Sequence, residues 1–119
     1  MPAPPTLPVL IADDTSVARA AVVRRLQNDG VTCLEVATAA AARAVDPARI
    51  ACALLDLDLG DGNGVDVATE FLARRADLPI AFFTAGATAE LQRRARAIAK
   101  VFAKPDDLAA AIAWVKSHA

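Results

Sequence analysis

Five polar residues of this sequence follow directly after short apolar runs, a spacing that can gather them for chemistry. They are Asp13 and Asp14 after LPVLIA, Asp56 after IACALL, Thr84 after LPIAFF and Lys104 after VFA. Three carboxylates held together repel one another and need a cation. Ligands that are all oxygen suit a hard ion such as Mg²⁺, which binds a few carboxylates and keeps other positions for water and phosphate. The residue types therefore predict an Mg²⁺ site.

The other two side chains suit the handling of phosphate. The Lys104 ammonium is a point charge that attracts a phosphoryl oxygen, and the Thr84 hydroxyl can donate a hydrogen bond to the same group. One carboxylate can act as the nucleophile and become an acyl phosphate. The whole set predicts phosphoryl transfer by positioning and charge neutralisation.

These residues can act together only if the chain brings the ends of its apolar runs to one place. The sequence predicts five short strands, at 7–12, 32–36, 50–55, 78–83 and 101–103. Segments with helical spacing alternate with them, which favours a parallel sheet with helices on both faces. Such sheets bind ligands beyond the carboxyl ends of their strands. All five polar residues fall at that edge.

Five helices are predicted, each after one strand. The first ends at Gly30, the second is capped by Thr38 and ends near 46–47, the third spans 65–75, the fourth spans about 87–97, and Pro105 begins the last.

Length and composition indicate one domain with one core. The chain has 119 residues, 55% of them hydrophobic. Residues 1–6 are Pro-rich and predict a flexible tail ahead of a domain at 7–119. The net charge of −1 gives no general attraction to nucleic acid or to an anionic membrane. The sequence shows neither a signal peptide nor a run of about 20 apolar residues, so a cytoplasmic location is expected.

The two cysteines, Cys33 and Cys52, each stand among apolar residues. We expect them to be buried free thiols in strands rather than a disulfide or a metal site.

Four stretches of the chain resemble the receiver domain of response regulators in two-component signalling, in order and in spacing. They are VLIADD at 9–14, LLDLDLGDGNG at 54–64, FFTA at 82–85 and FAKP at 102–105. The resemblance covers nearly the whole chain and is closest to single-domain receivers of the chemotaxis-regulator type. It implies a doubly wound (βα)5 flavodoxin-like fold with five parallel strands in the order 2-1-3-4-5.

The resemblance also implies a role for each matching residue. Asp56 is the expected phosphoacceptor. Asp14 and Asp56 are expected to bind Mg²⁺ directly, and Asp13 largely through water. The backbone carbonyl of Asp58 falls at the third protein ligand, while its side chain is left open between approaching Lys104, orienting water and pointing to solvent.

On the phosphoryl side, Lys104 is expected to pair with the transferred group and Thr84 to move towards it. Pro105 is expected to follow Lys104 through a cis peptide bond. Three residues depart from the family, one of them Asp106, which replaces a commonly apolar residue. Val101 stands where members carry the aromatic switch residue, since Phe102 is one place later and strand alternation points it to the other face. Gly60 stands where many members have proline.

Three functions are compatible with these residues. The first is a stand-alone receiver that takes a phosphoryl group from a sensor histidine kinase or a phosphotransfer protein and then binds a downstream protein. The second is an interaction module that works without phosphorylation, or a phosphate sink. The third, least favoured, is a dehalogenase-type phosphatase built on Asp56 and Asp58; its D-x-D motif would follow the first strand, whereas here it follows the third. The first implies no enzyme activity beyond self-phosphorylation and autodephosphorylation.

Several residues keep a second interpretation. Arg93, Arg94, Arg96 and Lys100 form a basic cluster that is either a solvated face or a docking surface. By analogy with the family, the fourth helix, fifth strand and fifth helix are a possible homodimer face. Trp114 is either partly buried or a contact residue, and His118 receives no role.

Overall fold

A five-stranded parallel sheet organises the chain. The computed structural model describes residues 6–119, so the predicted tail at 1–6 lies almost entirely outside the described residues. The strands are β1 (Val9–Ala12), β2 (Cys33–Val36), β3 (Ala53–Leu55), β4 (Ile80–Thr84) and β5 (Lys100–Ala103). They pair in the order β2-β1-β3-β4-β5, every pair parallel. The predicted fold class and strand order are confirmed.

Four α-helices connect the strands, and a fifth follows β5. They are α1 (Ser16–Asn28), α2 (Ala39–Arg43), α3 (Gly64–Arg74), α4 (Ala89–Ile98) and α5 (Leu108–His118), with a 3₁₀ helix at Pro47–Arg49. Side-chain oxygens of Thr38, Asn63 and Thr88 cap α2, α3 and α4 by accepting a backbone N–H in the first turn. None of the described helices is long and apolar enough to cross a membrane.

Three predicted boundaries are wrong by three residues or more, and β1 and β4 each begin two residues later than predicted. β3 begins at Ala53, because the apolar residues just before it are buried in the core without being part of the strand. The second helix ends at Arg43, and the 3₁₀ helix follows it. Pro105 does not begin the last helix, which starts at Leu108. Residues 104–107 form a turn instead, in which the Asp107 carboxylate accepts the Ala103 N–H at 2.9 Å.

The core has two halves, one on each face of the sheet. Side chains of β1, β3 and β4 alternate between a cluster under α2, α3 and α4 and a cluster under α1 and α5. Phe82 lies in the first cluster and Phe83 in the second. Burial on both faces explains why these strands are continuous apolar runs.

The thiols differ in burial. Cys52 is fully buried, and this burial raises the pKa of its thiol to about 12. Cys33 is only half-buried, so the prediction that both are buried is wrong for this residue. It lies on β2, which is an edge strand and has fewer neighbours to cover it.

Candidate functional site

The site lies at the carboxyl edge of the sheet, where three central strands and β5 end side by side. Ala12 pairs with Leu55, and Thr84 pairs with Ala103. Asp13 and Asp56 follow the first pair and are therefore neighbours in space. Lys104 follows Ala103 and is likewise close to Thr84. Asp13 follows β1, Asp56 follows β3, Thr84 is the last residue of β4, and Lys104 follows β5.

Three carboxylates converge there. Asp13, Asp14 and Asp56 each offer an oxygen, and these oxygens all lie within 4.8 Å of one another. Asp13 and Asp56 are 4% and 6% exposed, whereas Asp14 is open to solvent. A compact set of hard oxygen donors with one open side fits a cation that keeps some of its water, as Mg²⁺ does. The residues that the sequence predicts as acidic ligands are thus brought together.

Lys104 bridges two of these carboxylates. Its Nζ donates to Asp13 Oδ2 at 2.6 Å and to Asp56 Oδ2 at 2.8 Å. Burial alone would lower the pKa of the Lys104 ammonium, but its hydrogen bonds to the two aspartates raise that pKa above its ordinary value. The lysine therefore stays charged, and it also lies 5.6 Å from the centroid of the Phe83 ring.

The Asp13 carboxyl group titrates above the usual range. Burial raises its pKa, and the hydrogen bonds from Lys104 and from the Thr15 N–H only partly offset the effect. The nearby charge of Asp56 raises the pKa further. A buried acid pair of this kind is stabilised by any cation that approaches it.

The loop between β3 and α3 is folded back on itself. The Asp58 N–H donates to Asp56 Oδ1 at 3.2 Å, and Asp58 Oδ1 accepts the Gly60 N–H at 3.0 Å. Asp58 and Asn63 form an isolated antiparallel bridge, framed by the hydrogen bonds from Leu59 N to Gly62 O and from Gly64 N to Leu57 O. That pairing does not use the Asp58 carbonyl, so the carbonyl is compatible with a ligand role.

Gly64 begins α3 directly beneath the phosphoacceptor candidate. A Cβ added at this position would lie 2.2 Å from the backbone oxygen of Asp56. Only glycine allows this close approach, which places the start of α3 against the end of β3.

Thr84 borders a cleft rather than a bonded network. Its Oγ1 is the one buried side-chain oxygen or nitrogen in residues 6–119 that has no hydrogen-bond partner. A cleft of about 270 Å³ lies beside it, lined among others by Gln92, Arg96 and Val101. Phe102 is buried in the cluster on the opposite face of the sheet. No ring of β5 therefore lies in this cleft.

Two contacts of the site are not evident from the sequence pattern. Arg19 Nη1 donates to the backbone carbonyl of Asp13 at 2.6 Å, and Arg19 Nε lies 3.4 Å from Glu35 Oε1. Asp61 accepts hydrogen bonds from the first two amides of α2. Neither contact follows from helical or strand periodicity. In the sequence alone, Arg19 and Asp61 therefore look like solvated surface charges.

The basic cluster is partly neutralised. Arg94 pairs with Asp66 at 3.0 Å, and this interaction lowers the pKa of the Asp66 carboxyl group. Arg93 and Lys100 are exposed, and the Lys100 Nζ lies 5.6 Å from the Phe102 ring centroid. The Trp114 ring is half-buried and stacks on His118 with a centroid distance of 4.4 Å.

Comparison with known sequences gives one family. The family described as "Response regulator receiver domain" matches residues 9–117. No curated protein matches the sequence.

Solved structures with the same fold come from several organisms. The non-phosphorylated HemR receiver domain of Leptospira biflexa is 27% identical, with a TM-score of 0.81 over 94% of this chain and 93% of that one. The signal receiver domain of a modulated diguanylate cyclase from Desulfovibrio desulfuricans G20 is 28% identical, with a TM-score of 0.78 over 96% and 94%. A CheY-like receiver domain protein of Methanospirillum hungatei JF-1, 21% identical with a TM-score of 0.79 over 95% and 93%, shares the fold.

Proposed function

This chain belongs to the response regulator receiver domain family, and on that premise we propose that it accepts a phosphoryl group on Asp56 in the presence of Mg²⁺. The donor is the phosphohistidine of a sensor histidine kinase or of a phosphotransfer protein. One observation carries the proposal: three carboxylates and Lys104, from three separate segments, meet at one point of the sheet edge.

The proposed transfer uses the Asp56 carboxylate as the nucleophile. One of its oxygens forms a bond to phosphorus while the phosphorus–nitrogen bond of the phosphohistidine breaks, and the departing imidazole takes up a proton. Asp14 and Asp56 would hold Mg²⁺ directly, Asp13 largely through water, and Asp58 through its backbone carbonyl. Bound Mg²⁺ would offset the repulsion between the negatively charged carboxylate and phosphoryl oxygens.

Lys104 and Thr84 would receive the phosphoryl oxygens. The Lys104 ammonium already contacts Asp56, so it can exchange a carboxylate oxygen for a phosphoryl oxygen without leaving the site. The buried, unpaired hydroxyl of Thr84 gains a hydrogen-bond acceptor in the same step, which removes the cost of leaving it unsatisfied. Water attack on the acyl phosphate would release inorganic phosphate and return Asp56 to its free form, so we expect the phosphoryl donor to be the one external compound that is consumed.

We propose the face of α4, β5 and α5 as the surface that a downstream protein contacts. It carries the exposed side chains of Arg93, Arg96 and Lys100. The same face is our candidate for self-association. Sedimentation of the free and the phosphorylated protein would separate these uses, since self-association alone changes the mass of the isolated chain.

A module that binds its partner without phosphorylation is the second candidate. The observation that favours it is Val101, since the cleft beside Thr84 contains no aromatic ring of β5 whose position a phosphoryl group could change. Equal affinity of the free and phosphorylated forms for the same partner would support this function.

The decisive experiment uses a small-molecule donor and no partner. The chain is incubated with Mg²⁺ and acetyl phosphate or beryllofluoride, and the adduct is located by mass spectrometry or ¹⁹F NMR. We expect one adduct on Asp56 that requires Mg²⁺. The Asp56→Asn variant serves as the control, because it keeps shape and removes the nucleophile. An adduct that persists in this variant, or none in the native chain, would disprove the proposed function.

A further inference from the structure

In the loop after β3, Gly60 has a backbone conformation that proline, the residue of many family members at this position, cannot adopt. Gly60 has φ +77°, whereas the proline ring holds φ near about −65°. The loop also passes close to the metal ligands, since a Cβ at Gly60 would lie 3.7 Å from Asp14 Oδ2. The stiffness that a proline gives elsewhere must come here from other contacts.

Asp61 supplies such a contact by fastening the loop to α2. Its Oδ1 accepts the Ala39 N–H at 2.7 Å, and its Oδ2 accepts the Ala40 N–H at 3.1 Å. The first amides of a helix have no partner within the helix, and a carboxylate there also interacts well with the helix dipole. These two backbone hydrogen bonds lower the pKa of the Asp61 carboxyl group, so the group that accepts them is ionised at neutral pH.

Further contacts hold the loop on both sides of Asp61. The Asp58 carboxylate accepts the Gly60 N–H, and the Leu59 N–H donates to the Gly62 carbonyl at 3.0 Å. Gly62 lies so near α2 that an added Cβ would come within 2.9 Å of the Ala39 Cβ. The segment from Asp58 to Gly62 is therefore fixed relative to α2 as well as to β3.

We propose that Asp61 is a positioning residue for the metal site. By joining the loop to the start of α2, it presets the Asp58 carbonyl next to the aspartates, so less chain entropy is lost when the metal binds. The proposal rests on the proposed function, because it assigns Asp58 as a metal ligand.

A reciprocal effect on α2 follows from linkage. If the bonds from Asp61 to α2 strengthen Mg²⁺ binding by a given factor, bound Mg²⁺ strengthens those bonds by the same factor. The amides of Ala39 and Ala40 should then exchange with solvent more slowly when Mg²⁺ is present. Mg²⁺ bound to the folded state also slows exchange at amides that open only by global unfolding, so the specific sign is a larger slowing at Ala39 and Ala40 than at those amides.

The test compares three variants of the full chain by Mg²⁺ titration and by amide exchange. Asp61→Ala loses both hydrogen bonds, whereas Asp61→Asn loses the charge but keeps one acceptor oxygen. Thr38→Ala is the matched control, because it removes a cap of α2 that comes from outside the loop, the bond from Ala41 N–H to Thr38 Oγ1 at 3.0 Å. Folding of each variant is checked by circular dichroism.

We expect Asp61→Ala to weaken Mg²⁺ binding by roughly three- to tenfold, the range of about one net hydrogen bond. Asp61→Asn should lie between it and the native chain, and Thr38→Ala should bind Mg²⁺ like the native chain. Mg²⁺ should slow exchange at Ala39 and Ala40 beyond the slowing of core amides in the native chain but not in Asp61→Ala.

Two outcomes would overturn the inference alone. Native Mg²⁺ affinity in Asp61→Ala would show that the contact does not position the site. Equal weakening in Asp61→Ala and Asp61→Asn would assign the effect to charge rather than to hydrogen bonding. A native chain that binds no Mg²⁺ is a separate result, which would refute the proposed function together with this inference.

Discussion

The two sides of the site differ in how their polar groups are satisfied. On the acidic side, formed by Asp13, Asp56 and Lys104, one ammonium donates to two buried carboxylates at 2.6 and 2.8 Å. On the cleft side, formed by Thr84, Val101 and Arg96, a buried hydroxyl has no partner and about 270 Å³ of space lies beside it. The two sides are close in the sequence, because Val101 of the cleft side and Lys104 of the acidic side are only three residues apart.

Because of this difference, removing a polar group should have opposite effects on the free energy of folding at the two sides. Removing a polar group from the acidic side leaves a buried charge uncompensated, which costs free energy. Removing the hydroxyl from the cleft side eliminates an unsatisfied group, which gains free energy. The departure at Val101 is therefore tolerated by the fold, since it leaves every charged contact of the acidic side in place.

The largest expected effect comes from Lys104→Met, which breaks the acidic side. Two carboxylates lose their cation, so the free energy of unfolding at pH 7 without metal should fall by about 3 kcal/mol. Urea unfolding measures this change. Lys100→Met is the control on the same strand, since Lys100 is exposed and should change stability by about 0.5 kcal/mol or less. Added Mg²⁺ should stabilise Lys104→Met more than the native chain, and an equal response would contradict the assignment.

Each side of the site has a glycine nearby, so the effect of replacing glycine by alanine can be compared between the two sides. Gly64→Ala forces a Cβ against the Asp56 backbone oxygen and should lower the free energy of unfolding by about 1–3 kcal/mol. A Cβ at Gly86, which lines the cleft, meets nothing within 4 Å. Gly86→Ala should therefore leave stability unchanged or raise it by up to about 1 kcal/mol. Similar losses in thermal or urea unfolding of the two variants would remove the contrast.

Thr84→Val tests the cleft side with nearly no change in shape. The unmodified variant should be more stable than the native chain by about 1 kcal/mol, because an unsatisfied buried hydroxyl is lost. With beryllofluoride and Mg²⁺, the native chain should gain more stability than the variant, because only the native chain has a hydroxyl to bond the bound group. Melting temperatures with and without beryllofluoride measure both effects. A less stable unmodified variant would indicate that the hydroxyl is satisfied in solution.

The smallest expected effect is the loss, at alkaline pH, of the stability that Lys104 contributes to the acidic side. The hydrogen bonds that Lys104 donates to Asp13 and Asp56 raise the pKa of Lys104 in the folded chain despite its burial. Its contribution to stability is therefore complete below pH 10.5 and is lost as the pH rises through the folded-state pKa. The stability difference between the native chain and Lys104→Met should narrow above pH 10.5. A constant difference from pH 8 to 12 would argue against the ion pair.

Strands were predictable where burial on both faces produces a continuous apolar run. The parallel direction of the strands followed from their strict alternation with helices, and their order followed from the family resemblance; both are confirmed. Boundaries were less predictable. Ile50 and Cys52 are fully buried outside any strand, and an apolar run cannot distinguish a buried strand from a buried approach to one. The half-burial of Cys33 depends on β2 being an edge strand, which residue type does not reveal.

The convergence of Asp13, Asp56 and Lys104 was determined by the sequence itself. Each residue follows a buried strand, and the carboxyl ends of parallel strands share one edge whatever the loops do. Only the tertiary structure decided that Asp61 caps α2, that Arg19 holds the Asp13 carbonyl, and that the buried Thr84 hydroxyl has no partner. These features depend on how loops and helix ends are placed relative to one another, or on the space that side chains leave unfilled. Periodicity encodes which face a residue occupies, but it does not encode which partner it meets there.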